Sequence, residues 1–265
     1  MLIKLLGYNI LHGFHSLKAP FILENKRIEA AKEVVRQINP DILVLTEACF
    51  TNNNGFNMNM NYGRIFDYPY YAISNHAKEW GSAVLSRYPI INASDFSMDK
   101  RGFLRSSLDL GHKLVNVDVV HPHPELLEIE KAKFMKACLR DFKTPYILTG
   151  DFNACSRQDN YNIERLVEGF RKFHPEPDKK VSDLMQRLTI DEVIRHGLVD
   201  SFIAAKSDFD FTIPTDFLSK DKASGIRIDY IFCSEDFKVI DADIIKNKYS
   251  EGASDHYPVF ALLNI

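Results

Sequence analysis

The chain of 265 residues carries 33 Lys and Arg against 36 Asp and Glu, a formal net charge of -3, and its sequence pI is about 6.3. That balance excludes the strongly positive field that draws duplex nucleic acid non-specifically. With 45% hydrophobic residues, 19 Phe and 11 Tyr, the composition also excludes a disordered chain and supplies a sizeable core.

No run approaches the ~18 apolar residues of a membrane helix, so no membrane span is expected. The N-terminal MLIKLLGYNILHG carries a Lys within its apolar stretch and is unlike a secretory signal. Cys49, Cys138, Cys155 and Cys233 are scattered without a CxxC pair, which suits isolated thiols in a reducing, cytoplasmic setting. No linker divides the chain, and a single domain over residues 1–265 is expected.

Residues 2–9, LIKLLGYN, read as a strand that leads into polar ground. From Glu24, the spacing of Ile28, Ala31, Val35 and Ile38 predicts an amphipathic helix, stopped by Asn39-Pro40. DILVLT follows as a short buried strand, with Glu47 at its exit. GSAVLSRYPI (81–90) and KLVNVDVV (113–120) come next; in the second, Val115, Val117 and Val119 alternate with Asn116 and Asp118, the pattern of half-buried antiparallel sheet.

The grammar of the first unit then recurs. Pro124 and Glu125 open a helix expected to carry Ile129, Ala132, Met135, Leu139 and Phe142 on one face, Thr144-Pro145 ends it, and the strand YILT delivers Asp151 after Gly150. TIDE (189–192) reads as a capping box that starts a short helix ended by Gly197. RIDYIFCS repeats a period of two, with Ile228, Tyr230 and Phe232 on one side and Asp229 and Ile231 on the other, and YPVFALLNI closes the chain as a strand. Residues 51–63, 174–180 and 211–225 read as loops.

Polar residues therefore collect at strand ends: Asn9, Glu47, His121, Asp151 with Asn153, and Asp255 with His256, while Asp229 lies inside a strand. A lone acid or histidine at such a place is usually structural. Clustered acids are costly without a cation. Oxygen donors without a Cys or multi-His set suit Mg²⁺, with Mn²⁺ as a substitute. Mg²⁺ acidifies water less than zinc does, so a separate base is needed, and Asp151 is the candidate, with Asn153 as a neutral donor beside it. Histidines can donate to phosphate oxygens if a buried aspartate keeps them charged. Phe152, between Asp151 and Asn153, is expected to point into the core.

The ordered set YN (Asn9), LTEA (Glu47), GSAVLSRYPI, VVHPHPE (His121), TGDFNA (Asp151, Asn153), RIDYIF (Asp229) and SDHYPV (Asp255, His256) resembles the endonuclease/exonuclease/phosphatase superfamily with its DNase I-like fold, from residue 3 to residue 260. The resemblance implies a four-layer α/β sandwich, two mixed sheets packed face to face with helices outside, and Mg²⁺-dependent cleavage of a phosphoester by in-line attack of water. It implies Glu47 as principal metal ligand with Asn9 beside it and Asp255 completing the shell. Asp151 would orient or deprotonate water, Asn153 would hold water or phosphate, and Asp229 would fix the tautomer of His256 and favour its charge. His121 matches the second histidine of the nuclease, sphingomyelinase and inositol-phosphatase branches, which argues against a dedicated abasic-site role.

The expected substrate is nucleic acid or a small phosphodiester, and no obligate protein partner is evident. The alternatives are a phosphomonoesterase or phospholipase-type member acting on inositol phosphates or sphingolipid, a binding module without catalysis, and a zinc hydrolase built on His121-Pro-His123. Arg157 and Arg227 are further candidates for phosphate contact. Phe56, Tyr62, Phe66, Phe209, Phe211 and Phe217 are candidates for stacking on substrate.

Overall fold

A computed structural model describes residues 1–16, 22–48, 60–74, 81–98, 101–206 and 208–265; Cys49, Phe56 and most of the asparagine-rich stretch lie outside the described residues. The strands are β1 (Leu2–Asn9), β2 (Ile42–Ala48), β3 (Tyr70–Ile73), β4 (Gly81–Ser86), β5 (Ile90–Met98), β6 (Arg101–Asp109), β7 (Leu114–Val120), β8 (Tyr146–Asp151), β9 (Val199–Asp200), β10 (Asp229–Cys233), β11 (Lys238–Ile244) and β12 (Val259–Asn264). The helices are α1 (Asn25–Ile38), α2 (Tyr62–Phe66), α3 (Glu128–Cys138), α4 (Ile163–Phe170), α5 (Pro177–Leu184), α6 (Leu188–Arg195), α7 (Ser201–Ala205) and α8 (Ser250–Ala253).

Two mixed six-stranded sheets result, ordered β11-β12-β1-β2-β4-β3 and β5-β6-β7-β8-β10-β9. Their inner faces share one apolar layer, in which Ile3, Leu5 and Val44 of the first meet Val115, Val117, Val119 and Ile231 of the second. On the outer face of the first sheet, Leu6, Tyr8, Leu43 and Leu45 pack beneath Ala31 and Val34 of α1. The second sheet turns Leu148, Tyr230 and Phe232 outward against Phe134 and Met135 of α3 and Val193 of α6. Helix, sheet, sheet and helix make the expected four layers.

The parallel pairs β1/β2 and β7/β8 each enclose a helix, as the repeated grammar requires, and both run their carboxyl ends to the same edge of the sandwich. Strands β10 and β12 run antiparallel to β8 and β1, so they begin at that edge. This opposition brings residues separated by more than two hundred positions to one rim.

Several local expectations fail for identifiable reasons. In α3 the buried residues are Glu128, Lys131, Phe134, Met135 and Cys138, while Ile129 is turned to solvent. A fully buried Lys131–Glu128 ion pair at 3.0 Å occupies the inward face, so aliphatic spacing alone misplaces it. Thr189 does not cap α6: Arg187 holds that position in a left-handed conformation, and Thr189 instead donates its N–H to Glu128 Oε2 at 3.1 Å. Asp118 is buried, because Arg105 at 2.7 Å and the Tyr146 hydroxyl at 2.8 Å supply its partners beneath α3. Two of the three stretches expected as loops, 51–63 and 174–180, run into the starts of α2 and α5.

Candidate active site

Glu47 and Asn9 reach the rim from adjacent strands, since Asn9 stands opposite Thr46 in the parallel register. The β2/β4 register shifts between Leu45 and Ala48. Such a bulge re-aims a side chain, and Glu47 takes a left-handed backbone there, with φ of 56°. His121 follows Val120, which pairs with Gly150, and Asp229 lies opposite Asp151 across β10 and β8. Gly150 has φ of 135°, and a Cβ there would lie 2.1 Å from the Val120 carbonyl oxygen. Only glycine can precede Asp151 in this geometry.

The side chains close into two groups that share Asp151. Ligand atoms of Glu47, His121 and Asp151 lie within 4.8 Å of one another, as do those of Asp151, Asp229 and His256. Asn9 spans the first group, donating Nδ2 to Glu47 Oε1 at 3.2 Å and to Asp151 Oδ2 at 3.0 Å while its Oδ1 accepts the Leu11 N–H at 3.0 Å. In this arrangement its nitrogen faces the carboxylates and its oxygen faces the Leu11 N–H. Asp255 lies at the margin, with Oδ1 4.0 Å from His256 Nε2. Burial, with the charge of Glu47 added, raises its carboxyl above the usual range.

Asp151 is 2% exposed. Burial, and after it the negative charge of Asp229, pushes its carboxyl up to about 7. Its Oδ1 accepts the Asn153 N–H at 2.8 Å, and Asn153 Nδ2 donates to the Pro122 carbonyl at 3.1 Å. The intervening Phe152 is buried as expected, edge-on to Tyr230 and Phe232. Burying a ring of that size stabilises the turn by about 1.5–3 kcal/mol. Lys131 supports the same turn from below, donating to the Asn153 carbonyl at 2.5 Å.

The two histidines differ. His256 Nδ1 donates to Asp229 Oδ2 at 2.8 Å. Although burial opposes the charged form, the carboxylates of Asp229, Asp255 and Asp151 hold this imidazole well above its ordinary value. The expectation of a charged His256 therefore agrees with its surroundings. His121 has no such aspartate. Its Nδ1 accepts from Arg101 Nη1 at 2.6 Å, and the same Nη1 lies 3.4 Å from Nε2. Because a guanidinium only donates, the remaining ring proton belongs on Nε2, which points toward Asp151 Oδ2 at 3.5 Å and Glu47 Oε1 at 3.8 Å. Burial and the Arg101 charge hold His121 well below its ordinary value. The condition set for a charged histidine, a buried aspartate bonded to the ring, is met at His256 and not at His121.

Arg101 and His12 are site residues that sequence reasoning missed. His12 donates its N–H to Glu47 Oε2 at 3.0 Å, and its Nε2 lies 3.7 Å from that oxygen. It sits in a run of four positive-φ residues, Leu11 to Phe14. Buried Arg27 gathers that run by donating to the carbonyls of Ile10, Leu11 and His15, and also to Ala253 at 2.8 Å beside the Asp255 turn. The signals available were a His-Gly pair three residues after Asn9 and an arginine leading a strand that pairs with the one delivering His121.

The other expected phosphate contacts lie elsewhere. Arg157 is tied to Asp191 at 2.7 Å. Arg227 is buried between Asp159 and Asp200, at 2.8 Å from each, where its charge is fully engaged. Phe66 and Tyr62 are core residues, Phe209 packs on Tyr161, and Phe211 packs on Tyr257.

A hard divalent cation fits this donor set. Three carboxylates, Glu47, Asp151 and Asp255, crowd one rim, and burial, with neighbouring negative charge added to it, raises two of them toward protonation, a cost that a bound cation would offset. Among the described residues, no helix is long and apolar enough to cross a membrane.

An acid-lined rim on a helix-flanked double sheet is the architecture of the DNase I-like phosphoester hydrolases. The Endonuclease/Exonuclease/phosphatase family model matches residues 6–256, and the chain belongs to that family. It is accordingly an enzyme of the phosphoester hydrolase class. No curated protein sequence matches it. Among solved structures, it is similar to an endonuclease/exonuclease/phosphatase family protein from Leptotrichia buccalis, with 17% identity, 99% of this chain and 100% of that one covered, and a TM-score of 0.67. An AP endonuclease from Archaeoglobus fulgidus matches at 17% identity over 99% and 100%, TM-score 0.68. A 3' phosphatase from Neisseria bound to product DNA hairpin matches at 16% identity over 99% and 100%, TM-score 0.67.

Proposed function

We propose that the chain is a Mg²⁺-dependent phosphodiesterase that hydrolyses its substrate by in-line attack of water on phosphorus, working as one catalytic unit across residues 1–265. The observation that carries this reading is the position of Asp151, shared between the acid group of Glu47 and the charged His256–Asp229 pair. Glu47 and Asp255 would hold the cation, with Mn²⁺ as a substitute, and Asn9 would keep Glu47 and Asp151 apart at a fixed distance. The cation would neutralise charge on the phosphate oxygens.

The residues then divide the work. Asp151 accepts the proton of the attacking water, a task suited to a carboxyl lifted to about 7. Its aim is set by the Asn153 N–H on Oδ1 and Asn9 on Oδ2. His256, charged by Asp229, faces the phosphate oxygens as a cationic donor, and neutral His121 offers its Nε2–H without adding charge. Asn153 has a second amide proton for water or phosphate. The likeness in fold to an AP endonuclease and to a 3' phosphatase bound to product DNA hairpin supports nucleic acid among the substrates. Buried thiols at Cys138, Cys155 and Cys233 support a cytoplasmic setting.

The test is a Mg²⁺ titration over nicked plasmid, single-stranded DNA and RNA, inositol phosphates, sphingomyelin and a chromogenic phosphodiester, with Asp151→Asn as control. Mg²⁺-dependent cleavage of nucleic acid or of the chromogenic diester, lost in Asp151→Asn, is the expected result. Full activity in that variant would remove Asp151 from the chemistry, and cleavage confined to monoesters or sphingomyelin would transfer the chain to the monoesterase or phospholipase alternative.

A further inference from the structure

Between β1 and α1 the consecutive residues Leu11 to Phe14 all take positive φ, from 42° at Leu11 to 67° at Phe14, and only Gly13 among them lacks a side chain. Left-handed backbone is costly for the other three. Such strain persists where the surroundings over-determine it, and it gathers at active sites and ligand clamps. What the run achieves here is the placing of His12. Its N–H reaches Glu47 Oε2 at 3.0 Å, and Nε2 of its partly exposed ring stands 3.7 Å from the same oxygen.

Buried Arg27 holds the run in that shape. Its guanidinium donates to the carbonyls of Ile10, Leu11 and His15, on both flanks of His12, and to that of Ala253, two residues before Asp255. The negative charges of Glu47 and Asp255 both act on the His12 ring. The two acids proposed to hold the cation therefore share this imidazole as a neighbour.

The other rings of the rim are already committed. Arg101 behind His121 and Asp229 behind His256 leave an N–H on the nitrogen that each ring turns to Asp151, and a protonated nitrogen has no lone pair for a cation. His12 Nε2 and Glu47 Oε2, at 3.7 Å, are close enough for both to bond one ion at the ~2.1 Å of such contacts.

We propose that His12 is a ligand of the catalytic cation beside Glu47 and Asp255, and that its nitrogen shifts the preference of the site from Mg²⁺ toward a first-row transition ion. Oxygen donors alone suit Mg²⁺, whereas imidazole suits transition ions. The inference rests on the metal-dependent phosphodiesterase reading and names the class of ion that serves it.

Mn²⁺ is the probe, because its electron spin reports a bonded nitrogen. Electron spin echo modulation of the Mn²⁺-loaded protein should show a directly bonded nitrogen that changes when the histidines carry the heavy nitrogen isotope. The signal should survive in His121→Asn and His256→Asn and vanish in His12→Asn, since asparagine accepts left-handed backbone. His12→Gln, which keeps the side chain long, repeats the test. In both His12 variants Mn²⁺ affinity should fall by at least about tenfold, and Mg²⁺ affinity, read by competition, by less. No bonded nitrogen in the unaltered protein, or one lost with His121 or His256, overturns the assignment whatever happens to the His12 variants. A nitrogen retained in folded His12→Asn, or equal losses for the two ions, also overturns it. Cleavage of bis(p-nitrophenyl) phosphate, measured in parallel, separates the two levels. Ion-dependent cleavage without a bonded nitrogen overturns the role of His12 alone, whereas no ion binding and no cleavage overturns the diesterase reading along with it.

Discussion

His121 and His256 both bring Nε2 to the same oxygen of Asp151, Oδ2, and both are almost fully enclosed, yet the structure gives them opposite characters. The second nitrogen of His256 meets the carboxylate of Asp229, and the ring holds its proton; that of His121 meets the guanidinium of Arg101, and the ring is neutral. Residue type and burial are the same. The group behind the ring decides whether it enters the site as a cation or as a neutral donor.

The largest expected effect comes from removing that difference at His256. Asp229→Asn keeps the shape of the partner but takes away its charge, and steady-state kinetics on the diester should show kcat lower by roughly 10²–10⁴-fold, the usual worth of a positioned acid or base. His256→Ala should fall in the same range. Activity within about threefold of the parent in Asp229→Asn would mean that His256 does not act as a cation, well short of that loss.

Breaking the other half of the comparison should cost less. Arg101→Met leaves His121 buried but frees its Nδ1, so the Nε2–H tautomer is no longer imposed. A loss of kcat of about tenfold is expected, below the full worth of a catalytic donor. Nitrogen NMR of the His121 ring checks the cause directly: Nδ1 should carry the acceptor shift in the parent protein and a mixed one in the variant. An unchanged ring signal would assign Arg101 to packing alone.

An effect on folding alone, with no turnover to read, is a pH dependence of stability in chelator-treated protein. Asp151 is held near 7 in the folded chain, against about 3.9 for an unfolded aspartate. Between those values the unfolded chain has released the proton that the folded chain retains, so stability falls as pH rises from about 4 through 7, by at most ~1.4 kcal/mol per pH unit from this group. Calorimetric melting at pH 5 and pH 7.5 should show that decline in the parent and a shallower one in Asp151→Asn. Equal declines would place the proton elsewhere.

Most of the site could be read in the sequence because its acids follow short apolar strands. The run YILTG allows little but a strand that ends in a forced turn, and LVLTE places Glu47 in the same way. The repeated units indicated mixed helices and strands, while the four-layer sandwich was an implication of the family resemblance. The inward face of α3 could not be read, since a Glu128–Lys131 pair takes an interior that aliphatic spacing assigns to Ile129. Arg227 shows the converse, an exposed-looking cation that two buried aspartates from distant segments enclose.

By itself the sequence determined which residues stand at strand ends, because hydrophobic period, proline stops and a glycine that no other residue can replace all act over a few neighbouring positions. Which of those residues meet was decided by register between strands: Asp229 against Asp151, Asn9 against Thr46, and β6 beside β7, where the Phe103 pairing with Val120 brings Arg101 to His121. Side-chain charge depends on such meetings through burial and Coulomb interaction at a few ångströms, and no local pattern encodes them. The two histidines therefore look alike in the chain and acquire their separate protonation only when the sheets assemble.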